Sequence, residues 1–181
     1  MTNESEQDES QPHQPKRLLL MRHAKSNWGG TGLSDHQRPL NKRGRRDAPA
    51  MGRWLAENDV WPARVLCSSA ARTRETLARL QSELGAEPDV FYSDLLYGAT
   101  AETLARVVRS EGKNAKTLMV IAHNPGMSEL VSCLASEYIG MSTAAIAVFE
   151  THLDSWNDFK FDQHCVPMKM IHFMRPKELS N

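Results

Sequence analysis

Three apolar runs of this chain each lead into a residue that can bind phosphate or move a proton. Arg22 and His23 follow the first run, Arg72 comes shortly after the second, and His123 follows the third. Short apolar runs bounded by turn residues are typical of buried strands in a parallel sheet. Ligands of open α/β sheets bind just beyond the carboxyl ends of such strands. The four side chains are therefore expected where chemistry is usually placed.

These residue types indicate phosphoryl chemistry. The planar guanidinium of arginine matches phosphoryl oxygens, and two arginines with two histidines would bind a dianion through charge-assisted hydrogen bonds. One imidazole could also act as a nucleophile. The four groups can converge because the carboxyl ends of parallel strands share one edge of a sheet. Arg72 is expected in the first turn of a helix, where free N–H groups and the helix dipole also favour an anion.

Strand-like and helix-like segments alternate along the chain and would position these residues. Strands are predicted over residues 18–21, 64–67, 90–92 and 117–122, and helices over residues 47–58, 70–84, 100–109 and 127–136. Thr100 is the expected N-cap of the third helix, and Gly85 the expected C-terminal cap of the second.

The last two apolar runs, residues 144–149 and 168–173, have no helix between them and are predicted to pair antiparallel at one end of the sheet. The sequence thus predicts an α/β, single-domain layered sandwich. It would have a mostly parallel central sheet, helices on both faces and a C-terminal antiparallel hairpin.

Length and composition limit the function classes. The 181 residues suffice for one domain, expected over residues 16–176 between a disordered polar tail (1–15) and a short C-terminal tail (177–181). Acidic and basic residues number 22 each, so neither nucleic acid nor a membrane surface is expected as a partner. No stretch is apolar and long enough to span a membrane. Three cysteines without close spacing favour a reduced, cytoplasmic protein, with Cys67 and Cys133 as small core residues.

Four motifs resemble those of one enzyme family. Residues 22–24 (Arg-His-Ala), residues 68–73 together with Thr76, and residues 122–126 (Ala-His-Asn-Pro-Gly) are similar to the histidine phosphatase superfamily. The segment from Asp35 to Gly52 resembles more narrowly its small SixA-type phosphohistidine phosphatase branch. The likeness extends from about Arg17 to the C-terminal strands, and it implies a phosphoglycerate mutase-like fold with neither a metal nor a cofactor.

The resemblance also implies roles for individual residues. His23 would be the nucleophile that becomes phosphorylated, and Arg22 and Arg72 would clamp the phosphoryl group. His123 would be the second histidine, which binds phosphoryl oxygens and stabilises charge during transfer. Arg38 resembles an additional arginine of the family near the site. The reaction would then be two in-line displacements at phosphorus, with water discharging the phosphohistidine.

The chain departs from the superfamily's pattern in two places. Ala24 stands where the Arg-His-Gly signature has glycine. Larger members supply a carboxylic acid that protonates an alcohol leaving group, and by chain order the nearest candidates here are Asp94 and Glu102. A histidine nitrogen needs such a donor less, because imidazolium has a pKa of about 6.5. The sequence therefore favours phosphorylated histidine on a signalling or phosphotransfer protein as the substrate.

Several residues keep two interpretations open. Lys25 would either bind the phosphate or be solvated, and Arg38 could instead pair with Asp35 or Asp47. The basic run at residues 42–46 would be either a solvated helix face or a docking site for an acidic protein. Four further residues lack the close spacing of metal ligands, so no metal is expected from them: His152, His164, Cys165 and His172. The rival functions are a phosphatase of small phosphate esters and a non-catalytic phosphoprotein-binding module.

Overall fold

A computed structural model describes residues 14–28, 32–83, 85, 87–161 and 166–179. Its strands are β1 (Lys16–Arg22), β2 (Arg64–Ser68), β3 (Asp89–Ser93), β4 (Thr117–Ala122), β5 (Ile146–Thr151) and β6 (Lys169–Met174). Its α-helices are α1 (Lys42–Glu57), α2 (Ala71–Gln81), α3 (Ala101–Glu111) and α4 (Gly126–Ala135). The predicted tail over residues 1–15 lies almost entirely outside the described residues.

The strands form one sheet in the order β3-β2-β4-β1-β5-β6. The pairs β3–β2, β2–β4 and β4–β1 are parallel, whereas β5 runs antiparallel to β1 and β6 antiparallel to β5. This arrangement confirms the predicted α/β fold and its C-terminal antiparallel hairpin. It also places the carboxyl ends of β1, β2 and β4 side by side, with β1 and β4 in direct contact.

Helices cover both faces of the sheet because consecutive side chains of a strand point to opposite sides. On β1, Leu18 and Leu20 belong to the buried cluster that includes residues of α3 and α4. Leu19 and Met21 belong to the cluster that includes residues of α1 and α2. The continuous apolar run of β1 therefore serves two cores, as expected for a strand that is buried on both faces.

Some predicted boundaries are wrong, for local reasons. Helix α1 begins at Lys42 instead of residue 47, because the Asn41 side chain accepts a hydrogen bond from the Gly44 N–H and caps the helix. Helix α2 ends at Gln81, so Gly85 is not its cap. The prediction for Thr100 is confirmed, since its side chain accepts from the Thr103 N–H.

The cysteines correct a further expectation. Cys67 is a buried free thiol, but Cys133 is disulfide-bonded, so the interpretation of three unpaired cysteines is wrong. Spacing along the chain does not report spatial neighbours: the Met168 N–H bonds the Leu134 carbonyl and brings the start of β6 against the end of α4. Cys165 lies outside the described residues. Within the described chain, no helix is long and apolar enough to cross a membrane.

Candidate active site

The four residues that the sequence predicts for the site meet at the carboxyl edge of the sheet. We call them the predicted quartet: Arg22, His23, Arg72 and His123. Arg22 ends β1, and the His23 N–H bonds the carbonyl of Ala122, the last residue of β4. The rings of His23 and His123 lie with their centroids 5.1 Å apart. Both histidines and Arg72 are buried, with 5–7 % of their surface exposed. Parallel pairing of β1 with β4 is what brings these two histidines together, 100 residues apart in sequence.

The orientation of His23 is fixed by its own backbone. Its Nδ1 lies 2.7 Å from the carbonyl oxygen of Ala24. Because a carbonyl can only accept, Nδ1 carries the proton, and Nε2 keeps its lone pair. The pKa of His23 is lowered to about 4, by burial above all and also by the nearby charges of Arg72 and Arg22, whereas the Ala24 hydrogen bond acts in the opposite direction. His23 is therefore neutral, with a nucleophilic Nε2, at pH 7.

His123 is held by the end of a neighbouring strand. Its Nε2 lies 2.8 Å from the hydroxyl oxygen of Ser68, which ends β2. Its Nδ1 is buried and has no hydrogen-bond partner. The pKa of His123 is lowered to about 3, by burial above all and also by its proximity to His23 and Arg72. The second histidine is thus also neutral.

The described residues contain three buried side-chain nitrogens without a hydrogen-bond partner: Arg22 Nε, Arg72 Nε and His123 Nδ1. Buried donors are normally paired, because an unmet donor costs about 1–3 kcal/mol. All three nitrogens belong to members of the predicted quartet, and the fourth member is His23, whose Nε2 keeps its lone pair. An anion that accepts several hydrogen bonds would satisfy them together.

The loop between α4 and β5 braces the end of β1. Arg22 donates from Nη1 to the Met141 carbonyl at 2.9 Å. The Ala144 N–H lies 3.1 Å from the carbonyls of both Arg22 and His23. Ala144 has a φ of 63°, an uncommon conformation for a residue with a Cβ. These contacts fix the backbone that carries His23.

Asp35 links Arg38 and Arg72 through its carboxylate. Its sequence position did not predict a place in the site. Asp35 pairs with Arg38 at 2.7 Å and with Arg72 at 3.0 Å, which settles the alternative partners of Arg38 in favour of Asp35. Tyr97 donates its hydroxyl to Asp35 at 2.6 Å, and its ring contacts that of His123 at 5.5 Å. The Tyr97 hydrogen bond, with Arg38 and Arg72, holds the pKa of Asp35 well below its usual range. Sequence spacing gave no signal for Tyr97, which lies 62 residues from Asp35.

The remaining predicted residues lie at the periphery. Asp94 accepts a hydrogen bond from the Ser69 hydroxyl, and the Ser69 oxygen lies 2.9 Å from Nε2 of His36. Glu102 is exposed in the first turn of α3. Lys25 contributes its backbone, since its carbonyl accepts from the Asn41 N–H. Of the two candidate proton donors, Asp94 is the one linked by hydrogen bonds to Ser69 and through it to His36, whose ring lies 4.9 Å from that of Tyr97 between centroids.

Potential metal ligands do not cluster in the part of the chain that the structure covers. There, no group of three or more His, Cys, Asp and Glu side chains has a metal-holding arrangement. His152 and His172 are among the described residues, whereas His164 and Cys165 are not.

Comparisons with known proteins identify a family for this chain. Residues 18–94 match the model of the histidine phosphatase superfamily (branch 1). An uncharacterized chloroplastic protein of Arabidopsis thaliana is 34% identical over 152 residues, which cover 79% of this chain and 70% of the relative. An uncharacterized protein of Mycobacterium tuberculosis is 42% identical over 127 residues, covering 70% of this chain and 76% of the relative.

A solved structure extends the similarity to the whole fold. The candidate phosphohistidine phosphatase SixA from Nakamurella multipartitia superposes with a TM-score of 0.76 at 29% identity, covering 92% of this chain and 99% of that one. The fold and the site define a phosphatase. The chain belongs to the histidine phosphatase superfamily, in its SixA-type branch.

Proposed function

We propose that this protein is a phosphohistidine phosphatase, which hydrolyses phosphorylated histidine on a signalling or phosphotransfer protein through a phosphorylated His23. The observation that carries the proposal is the set of three buried, unpartnered nitrogens beside the neutral His23. They form a preorganised receptor for phosphoryl oxygens, the kind of electrostatic arrangement that accelerates phosphoryl transfer.

The first displacement transfers the phosphoryl group to the enzyme. Nε2 of His23 attacks phosphorus and the bond from phosphorus to the substrate nitrogen breaks. That nitrogen takes the electron pair, and the group leaves as a neutral imidazole because its other ring nitrogen carries a proton. Arg22 and Arg72 donate to the phosphoryl oxygens. When the Ser68 hydroxyl donates to Nε2 of His123, Nδ1 of His123 carries a proton and can donate as well.

The second displacement regenerates the enzyme. A water molecule attacks phosphorus, the bond to Nε2 of His23 breaks with its electron pair on nitrogen, and orthophosphate is released as H2PO4−, which keeps both protons of the water. The hydrogen bond from Nδ1 to the Ala24 carbonyl holds the ring in one orientation through both steps. The low pKa of His23 makes its nitrogen a good leaving group once the phosphoryl group is attached.

The carboxylates of the site favour an easily displaced leaving group. Asp35 contacts Arg38 and Arg72, two of the three predicted phosphate-binding arginines, and its lowered pKa keeps it ionised at pH 7, without a proton to give. An alkoxide leaving group needs a proton, whereas an imidazole nitrogen leaves more readily. The site therefore suits a phosphorus–nitrogen bond better than an alkyl phosphate.

The surroundings of the site favour a protein as the carrier of that bond. Two exposed aromatic side chains lie beside the site, Trp28 against Arg38 and Tyr97 against His123. Leu33 and Leu95, each two residues along the chain from Asp35 or Tyr97, are exposed as well. We call these four side chains the apolar rim. The guanidinium of Arg38 stacks on the Trp28 ring at 3.9 Å, and the Tyr97 ring contacts His123. Clustered exposed apolar residues of this kind mark interaction surfaces.

The test is rapid-quench turnover of a phosphotransfer protein that carries phosphohistidine, compared with p-nitrophenyl phosphate, for wild type and His23→Ala. We expect the protein substrate to react faster, through an acid-labile phosphoenzyme that is missing in the variant. Faster turnover of the aryl ester alone would contradict the substrate class. Orthophosphate binding without turnover of either substrate would contradict an enzymatic role.

The second candidate, a phosphatase of small phosphate esters, is favoured by the position of Asp94. Its carboxylate bonds the Ser69 hydroxyl, which lies beside His36. A proton delivered from this side would help an alcohol to leave. Loss of ester hydrolysis in Asp94→Asn, together with slow turnover of phosphohistidine by wild type, would support this candidate.

A further inference from the structure

The Asp35 carboxylate is shared between two arginines and a tyrosine. Oδ1 accepts from Nε of Arg38 at 2.8 Å, and Oδ2 accepts from Nη2 of Arg72 at 3.0 Å and from the Tyr97 hydroxyl at 2.6 Å. The backbone carbonyl of Asp35 also accepts from Nη1 of Arg72 at 2.7 Å. One residue therefore engages both terminal nitrogens of Arg72.

This contact determines which edge of the Arg72 guanidinium remains free. A guanidinium can bind an oxyanion through its two terminal nitrogens or through Nε and one terminal nitrogen. In Arg72 the terminal pair is taken by Asp35, whereas Nε is buried and has no partner. The edge that contains Nε is thus left for the phosphoryl group.

We infer that Asp35 is a positioning residue, which turns Arg72 so that its Nε edge faces the phosphoryl group, and that Tyr97 holds Asp35 in place. The inference rests on the phosphoryl transfer proposed for this site. The difference in burial supports it: the Arg72 side chain is 6% exposed and the Asp35 side chain 50%. The buried guanidinium depends on Asp35 for its orientation, since its remaining nitrogen is unpartnered.

A contrasting role would give the opposite kinetics. If Asp35 merely occupied the arginines in the free enzyme, it would compete with phosphate, and its removal would speed the reaction. If Asp35 orients Arg72, its removal slows transfer even though it takes a negative charge away from an anion site. The rate of phosphoenzyme formation and the affinity for orthophosphate then move in different directions.

The experiment compares Asp35→Ala, Asp35→Asn and Tyr97→Phe with wild type. Asp154→Ala is the control, because it removes one exposed negative charge elsewhere. Single-turnover phosphoenzyme formation is measured with phosphoramidate, and orthophosphate affinity by calorimetry. We expect Asp35→Ala to form the phosphoenzyme at least tenfold more slowly and to bind orthophosphate at least as tightly as wild type. Asp35→Asn keeps an oxygen acceptor, so it should form the phosphoenzyme faster than Asp35→Ala. The rate for Tyr97→Phe should lie between those of Asp35→Asn and wild type.

Three results would overturn the inference: faster phosphoenzyme formation in Asp35→Ala, a rate equal to that of wild type, or an equal loss in Asp154→Ala. If wild type itself forms no phosphoenzyme, the proposed function fails first, and the two failures are thereby distinguished. Should Asp35→Ala not fold, Asp35→Asn compared with Tyr97→Phe gives the same test.

Discussion

The imidazole rings of His23 and His123 lie 5.1 Å apart and are tilted by 54° to each other. Both are buried beside arginines, so protonation of either would place one more positive charge in an already positive pocket. The pair therefore stays neutral, and His23 would need no general base to act as the proposed nucleophile. Positive charge is supplied instead by guanidinium groups, which do not lose their protons.

His23 and His123 should titrate with pKa values well below the usual value for histidine. In an NMR titration of histidine-labelled protein, we expect His23 to protonate near pH 4 and His123 near pH 3, because burial disfavours the charged rings. The reference value in an unfolded chain is about 6.5. Assignment follows from His23→Asn and His123→Asn, each of which removes one signal. A transition near 6.5 for either ring would contradict the neutral pair.

Acid should destabilise the fold before the carboxylates titrate. Since the folded pKa values of both histidines lie below the unfolded value, the unfolded chain takes up protons first as the pH falls from about 6.5. The stability contributed by the neutral rings is present above pH 6.5 and is lost as the pH falls, down to about 4 for His23 and about 3 for His123. Urea unfolding at several pH values measures this, and His123→Asn should weaken the pH dependence. An unchanged dependence would argue against it.

Arg72→Ala should nearly abolish turnover, whereas its neighbour Arg74→Ala should not. Arg72 is buried beside both histidines, and removing one preorganised donor to a developing oxyanion costs about 10²–10³-fold in kcat. Arg74 lies on the same helix, with its guanidinium over the Tyr92 ring at 4.6 Å. Both variants lose one positive charge, so steady-state kinetics separate position from charge. Similar losses of kcat in Arg72→Ala and Arg74→Ala would contradict the proposed role of Arg72 as a clamp on the phosphoryl group.

Gly44→Ala should destabilise the protein, because α1 packs directly on the loop that follows His23. A Cβ at this position would lie 2.2 Å from the Lys25 carbonyl oxygen, which is backbone and cannot turn away. Overpacking of this kind costs about 1–3 kcal/mol. Gly85→Ala is the matched control, since its Cβ would meet nothing closer than 3.9 Å. Denaturant unfolding compares them, and equal stabilities would contradict the close approach.

Leu95→Ser should separate a protein substrate from a small one. Leu95 is 60% exposed on the apolar rim, so the change should raise KM several-fold for a phosphohistidine protein and leave phosphoramidate hydrolysis unchanged. Val166→Ser is the control, an exposed apolar residue outside the rim. Parallel changes for both substrates would instead indicate a disturbed active site.

The fold could be predicted largely from local patterns. The apolar runs ending at Met21 and Ala122 are too short for helices, and their length and composition suffice to predict buried strands. Boundaries were less predictable where one side chain decides them. Asn41 starts α1 five residues early because its carboxamide oxygen accepts from the Gly44 N–H. The pairing of Cys133 was not predictable, since it depends on which segments meet in space.

The candidate site, like the fold, could be predicted from the sequence only in part. The type of chemistry could be predicted from the residues alone, because Arg22, His23 and His123 stand where strands end and the motifs around them recur in a known family. The partnership of Asp35 with Arg72 and Tyr97 could not, because it depends on how the chain packs. Loops carry no periodicity that a sequence pattern could reveal. Asp35 and Tyr97 come from separate connections, and packing at the carboxyl edge brings their side chains to 2.6 Å.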